Sequence, residues 1–174
     1  MKRSALCVSY VCPYLQTKEK NSGGHVQTMN DDTFLTTDKD IITRICMALG
    51  GRAAQRMILG VTDSGASSDF EQARKMAYQY VAELGMSDLV LTSIPGVERS
   101  QEEKRLIEIE VQKTLKECEL RAGSIIRENR ANFDRLVEIL LVKTTILGPE
   151  FAAILAGDGS QIEEDAKQSL SPLA

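Results

Sequence analysis

Few residues in this chain can do chemistry, and the short supply is itself informative. There is one histidine, His25. A hydrolytic zinc ion needs three protein ligands and an open fourth position. No His-Glu-x-x-His spacing occurs to place two imidazoles one helical turn apart. His25 lies in a polar loop or edge strand with no second histidine near it, and reads as a surface residue rather than a ligand. A serine triad would also need His25, and no Gly-x-Ser-x-Gly elbow is present. The phosphate-cradling Gly-x-x-x-x-Gly-Lys-Ser/Thr loop is missing, so no ATPase module is encoded here. The cysteines are Cys7, Cys12, Cys46 and Cys118, with no CxxC pair. They read as free thiols, two of them at helical core positions. What remains is carboxylates. Asp69 ends the polar run TDSGASSD, in the first turn of a helix, where an acid complements the helix dipole whatever else it does. Glu71 and Glu83 on the same helix read as a cap and a solvated face rather than as a general base.

Helices must position these groups. Thr37 offers a hydroxyl cap with Asp40 three residues on, and Ile41, Ile45, Ala48 and Leu49 recur at helical spacing behind it. Gly50-Gly51 costs about 2 kcal/mol relative to alanine inside a helix. The pair therefore implies either a break or a close approach by another backbone. Helix resumes over residues 52–59, with Gly60 suited to its C-terminal end. Ser68-Asp69-Phe70-Glu71 has the form of a capping box. Phe70, Ala73, Ala77, Tyr80, Val81 and Leu84 make one apolar face, and Gly85 stops that helix. A loop containing Pro95-Gly96 precedes the longest helical stretch, striped by Ile107, Val111, Leu115, Cys118, Ala122 and Ile125. A break is expected near Gly123 or Glu128-Asn129-Arg130. Phe133, Leu136, Val137, Leu140 and Leu141 make the next face, and Gly148-Pro149-Glu150 opens a short last helix. The class is mostly α, with at most a short β-hairpin near the N-terminus from residues 8–11 and 25–29. The expected organisation is an N-terminal segment over residues 1–23, a helical domain over 24–156 and a polar disordered tail over 157–174.

Composition fits a globular chain: of 174 residues, 43% are hydrophobic and 26% charged. A net charge of −4 argues against nucleic acid or an anionic membrane as partner. No apolar run reaches the roughly 18–20 residues needed to span a bilayer. The opening MKRSALCVSYVCPYLQ is broken by Ser9, Tyr10 and Pro13, and reads as structural rather than as a targeting signal.

The series LGGRAA, then Gly65-Ala66-Ser67-Ser68-Asp69-Phe70-Glu71-Gln72-Ala73, then Gly85-Met86-Ser87 resembles the second half of the peptidase domain of FtsH-type zinc metalloproteases, the membrane-anchored AAA+ proteases of bacteria, mitochondria and chloroplasts. The resemblance covers about residues 24–155, more loosely towards the end. It implies a bundle-like helical fold, zinc as the peptidase cofactor and ATP on a separate ATPase module. It further implies protein substrates and a homo- or hetero-oligomeric, hexameric ring. Asp69 matches the aspartate that supplies that family's third zinc ligand. No catalytic or cofactor-binding residue is carried over, because the His-Glu-x-x-His helix has no counterpart here. Gln55-Arg56 stands where the family carries a glutamate pair, Asn30 where it carries proline, and the stretch between Met86 and Ile107 is shorter. The expectation is a piece of such a peptidase, inactive alone and with no metal bound alone. The alternative is a non-catalytic subunit of a protease ring. Where the whole protein resides is not readable from these residues. Without its preceding helices, the faces Ile41-Ile45-Leu49 and Phe70-Ala77-Val81 are expected to lack part of their cover and to seek a partner.

Overall fold

The computed structural model describes residues 35–89, 98–143 and 145–156. All regular elements among them are helical: α1 (Asp38–Ala54), α2 (Ser67–Tyr78), α3 (Gln101–Glu128), α4 (Arg130–Lys143) and α5 (Gly148–Ala156). The expected N-terminal hairpin, His25 and the expected disordered tail fall outside the described residues. The described residues divide into two compact units, one ending at Ile125 and one starting at Ile126.

In the first unit, α1 starts where its sequence directs. The Thr37 hydroxyl accepts from the Asp40 amide at 3.3 Å, and the Asp40 carboxylate accepts from the Thr37 amide at 2.9 Å and its hydroxyl at 2.7 Å. Those bonds hold the Asp40 carboxyl below its usual range. Gly50 and Gly51 do not break α1; both lie buried inside it. The helix widens into a π-helical turn, Gln55–Leu59, and ends at Gly60 with φ of 68°, a left-handed conformation that suits glycine. Helix α2 also runs into a π-helical turn, Gln79–Glu83, stopped near Gly85 with φ of 60°.

The core of this unit joins Ile41, Ile45, Cys46 and Leu49 of α1 to Ala73 and Ala77 of α2, to Val81 and Ala82 beyond it, and to Ile107, Val111, Leu115 and Cys118 of α3. Ile45, Ala73, Ala77 and Val81 are completely buried. Of the two faces expected to lack cover, every residue but the half-buried Phe70 is therefore buried within the chain itself. Ala48 and Phe70 are only half-buried, and Leu84 is 51% exposed, so the apolar face of α2 ends one turn earlier than its pattern indicates. Ser100 caps α3 by accepting from the Glu103 amide at 3.1 Å. Just before it, Arg99 donates to the Ala82 carbonyl at 2.6 Å and to the Tyr78 hydroxyl at 3.0 Å, placing a cation where the helix dipole favours one.

Helix α3 runs straight through Gly123 and stops at Glu128, leaving Asn129 as the break. Its buried stripe ends on Ile126, with Ile125 only half-buried. In the second unit, Phe133, Leu136 and Ile139 of α4 and Ile154 of α5 are buried. Ile139 replaces Leu141, which is 53% exposed and lies off the face. The Glu150 carboxylate accepts from the Leu147 amide at 3.0 Å and from Lys143 Nζ at 2.8 Å, fixing the start of α5.

Two measurements check this packing. Ala77→Leu forces extra methylenes into a fully buried contact and should cost about 1–3 kcal/mol in urea unfolding. For Asp40, the folded pKa is lowered, so its contribution is present above the unfolded value and lost as pH falls through the folded one. The Tm gap between the native chain and Asp40→Asn should thus be widest near neutrality and close as pH drops below 3.8, the ordinary aspartate value. A gap unchanged at pH 2 would show that the capping box contributes nothing through its charge.

Candidate metal centre

Asp69 sits in the first turn of α2. What fixes that turn differs from the sequence expectation. Helix α2 begins at Ser67, and its N-cap, Ala66, supplies no side-chain bond. The preceding 3-10 turn, Ser64–Ala66, carries the cap instead: the Asp63 carboxylate accepts from the Gly65 amide at 2.7 Å. Ser68 is exposed within the helix, and Glu71 pairs with Lys75 at 2.8 Å rather than reaching back. The Ser68–Glu71 capping box is therefore not formed. Asp63 won because its short carboxylate closes a turn two residues on, which starts the chain coiling before Ser68 is reached. The same loop is tied to the end of α1, where the Gln55 amide oxygen accepts from the Asp63 backbone at 3.4 Å.

Behind the turn, Phe70 lies under Arg52, whose guanidinium carbon is 4.8 Å from the ring centre. Arg52 Nε also donates to Glu119 of α3 at 3.2 Å, and Arg56 donates to the same oxygen at 3.1 Å. The departures Gln55 and Arg56 thus both have structural work, one holding the Asp63 loop and the other pairing with α3. The arginine stack was not anticipated. Its only signal was an arginine directly after the paired glycines, and spacing alone does not bring it to Phe70.

The Asp69 carboxyl is partly buried, and burial pushes its pKa up. Among the described residues, none donates a hydrogen bond to it or forms an ion pair with it, which distinguishes it from Glu71, Glu108, Glu119 and Glu150. Glu83 is exposed on the solvated side. Among the described residues no group of three histidine, cysteine or acidic side chains could hold a metal ion. Asp69 alone supplies one of the three protein ligands a catalytic zinc requires. The residues present do not by themselves fit a zinc ion.

Helical architecture with a carboxylate on a rigid first turn beyond the LGGRAA helix defines a class that comparison makes definite: residues 17–154 match the model of peptidase family M41, and the chain belongs to that family. Among individual proteins, it is 34% identical over 149 residues to the ATP-dependent zinc metalloprotease FtsH of Thermotoga maritima, an alignment covering 77% of this chain and 24% of that one. It is 32% identical to the FtsH of Methylococcus capsulatus (76% and 23%) and 30% identical to that of Leptotrichia buccalis (85% and 21%). The chain spans about a quarter or less of the length of these relatives. Among the described residues no helix is long and apolar enough to cross a membrane.

Two substitutions probe the turn. Ser68→Ala should leave unfolding free energy within about 0.5 kcal/mol of the native chain, as for an ordinary surface site. Asp69→Asn should not lower Tm at pH 7, because burial disfavours the charge it removes. A marked loss of stability in either variant would mean that the turn is held through bonds other than those of Asp63.

Proposed function

We propose that this chain is the C-terminal part of an FtsH-type zinc peptidase domain, in which Asp69 supplies the carboxylate ligand of a catalytic zinc. The observation that carries this is the state of Asp69 itself: partly buried, without a hydrogen-bonding or ion-pairing partner among the described residues, and fixed on the first turn of α2. A carboxylate left unpaired in a partly dry position costs free energy, and a cation would offset that cost. The zinc in the names of its relatives supports the same choice. When bound, the metal would activate a water and polarise a peptide carbonyl. The contribution of this chain is to hold one carboxylate oxygen in place. The Asp63 turn fixes its backbone, and the Arg52–Phe70 stack with Glu119 braces the helix behind it.

The other two ligands, a histidine pair, would come from a segment outside these 174 residues. ATP hydrolysis, protein substrates, ring assembly and any membrane anchor would likewise belong to the whole protein. The 174-residue chain alone then binds less than one equivalent of zinc and does not cleave casein. Metal analysis after dialysis, with a chelator-controlled casein assay, checks this. Stoichiometric zinc with chelator-sensitive cleavage would overturn it. A chimera settles the role of Asp69. The segment of the Thermotoga maritima relative that precedes the matched region is joined ahead of this chain. It should bind one zinc, and Asp69→Ala in the chimera should abolish that. If the chimera folds but takes up no zinc, the chain is better read as a non-catalytic subunit of a protease ring.

A further inference from the structure

A cavity of about 250 Å³ opens on the first unit, away from the candidate metal ligand. Its wall takes Tyr80 from the π-helical turn beyond α2, whereas Asp69 sits in the first turn of α2. At 1.5 Å per residue the two lie about 15 Å apart along the helix. Ile42 of α1 and Tyr80, both half-buried, give the cavity an apolar side. One face of α3 gives it a charged side through Lys113, Glu117 and Arg121, and Asp88 adds a carboxylate from the loop after the π turn. Not all of these charges are open to a ligand. Lys113 Nζ is held by Glu110 at 3.0 Å. Among the described residues, Asp88, Glu117 and Arg121 have no hydrogen bond or ion pair. The wall thus presents two open carboxylates and one open guanidinium. Thr114, 5% exposed, donates to the Glu110 carbonyl at 2.9 Å and keeps its oxygen lone pairs for a donor in the cavity.

We propose that this cavity binds a short peptide with free termini, about three residues long. The C-terminal carboxylate pairs with the planar fork of Arg121, and the N-terminal ammonium pairs with Asp88. Glu117 and Thr114 accept from the peptide N–H groups between, and the middle side chain rests on Tyr80 and Ile42. The sign pattern selects this class. A simple anion would meet Asp88 and Glu117, and a simple cation would meet Arg121, so only a ligand carrying both signs satisfies the wall. The spacing sets its length. Asp88 is close enough to Lys113 to help hold it charged, behind the larger effect of the Glu110 bond. Lys113 and Arg121 are eight positions apart, about 12 Å along α3. An extended chain covers about 3.3–3.6 Å per residue, so three residues bridge these ends and a single amino acid does not. The cavity volume sets the upper limit, since it falls below the roughly 300–1,000 Å³ of drug-sized sites. The site itself does not depend on zinc; only the origin of such a peptide, as a product of proteolysis, rests on the function proposed above.

The test uses the full 174-residue chain, labelled with nitrogen-15 and free of metal, so that failure of the zinc reading leaves it intact. The tripeptide Gly-Leu-Gly is titrated while the amide signals are followed by NMR. The expected result is saturable movement of the Tyr80, Asp88, Thr114 and Arg121 signals, with a Kd of about 1 mM or tighter. The same peptide acetylated at its N-terminus or amidated at its C-terminus should bind about tenfold more weakly in each case, as should free leucine. Arg121→Ala and Asp88→Asn should each cost a similar factor. Arg105→Ala, on α3 but outside the cavity wall, should leave binding unchanged. Arg121 and Asp88 are exposed, so both variants should keep the native circular dichroism; if either does not fold, the blocked peptides still decide the matter on the native chain. Three results would overturn the proposal: no saturable movement up to about 10 mM peptide, blocked peptides binding as well as the free one, or movement confined to residues outside the cavity.

Discussion

The contact of α1 with α2 through small residues is the constraint on which the rest depends. Ala73 and Ala77 are wholly buried, and their size lets the α2 backbone lie close to Ile45 and Leu49. Only with that approach do α3 residues Ile107, Val111 and Leu115 complete the core. The same approach brings Arg52 over Phe70 and on to Glu119. The candidate metal ligand sits one turn before Ala73, so its position follows from a packing distance that alanine sets.

The helices were largely legible from sequence, for a physical reason. Thr37 with Asp40, Gly60, Gly85 and the stripe from Ile107 to Ala122 are local signals, and local hydrogen bonding and periodicity were enough to realise them. The failures came where two local signals competed or where a face ended. Asp63 and Ser68 could each cap a helix start, and the nearer turn formed first along the chain. Leu84 and Leu141 continue their stripes on paper but fall just off the buried arc. Gly50-Gly51 allowed two outcomes that propensity could not separate; burial in the core preserved the helix.

The candidate site was legible in a narrower sense. Motif resemblance picked out Asp69, and nothing in its own spacing distinguished it from any acid in a first helical turn. The structure adds what a string of residues cannot: Glu71, Glu108 and Glu119 have cationic partners, whereas Asp69 is partly buried with none among the described residues. Gln55 and Arg56, noticed only as departures from a family pattern, acquired physical meaning through contacts 8 and 63 residues away.

Both helices that flank the candidate ligand end in a π-helical turn, Gln55–Leu59 and Gln79–Glu83. A π turn holds one residue more than the α turn it replaces, since each bond spans five positions rather than four. The surplus residue rotates the chain by an extra fraction of a turn at the point where it leaves the helix. Loss of one residue from Gln55–Leu59 would be absorbed by reversion to an α turn, with the core upstream unmoved. The exit direction of the loop beyond would swing instead. At Gln55–Leu59, which holds no buried residue, the length of the chain can therefore change by one without disturbing the interior, whereas Gln79–Glu83 carries the core residues Val81 and Ala82 and has no such freedom.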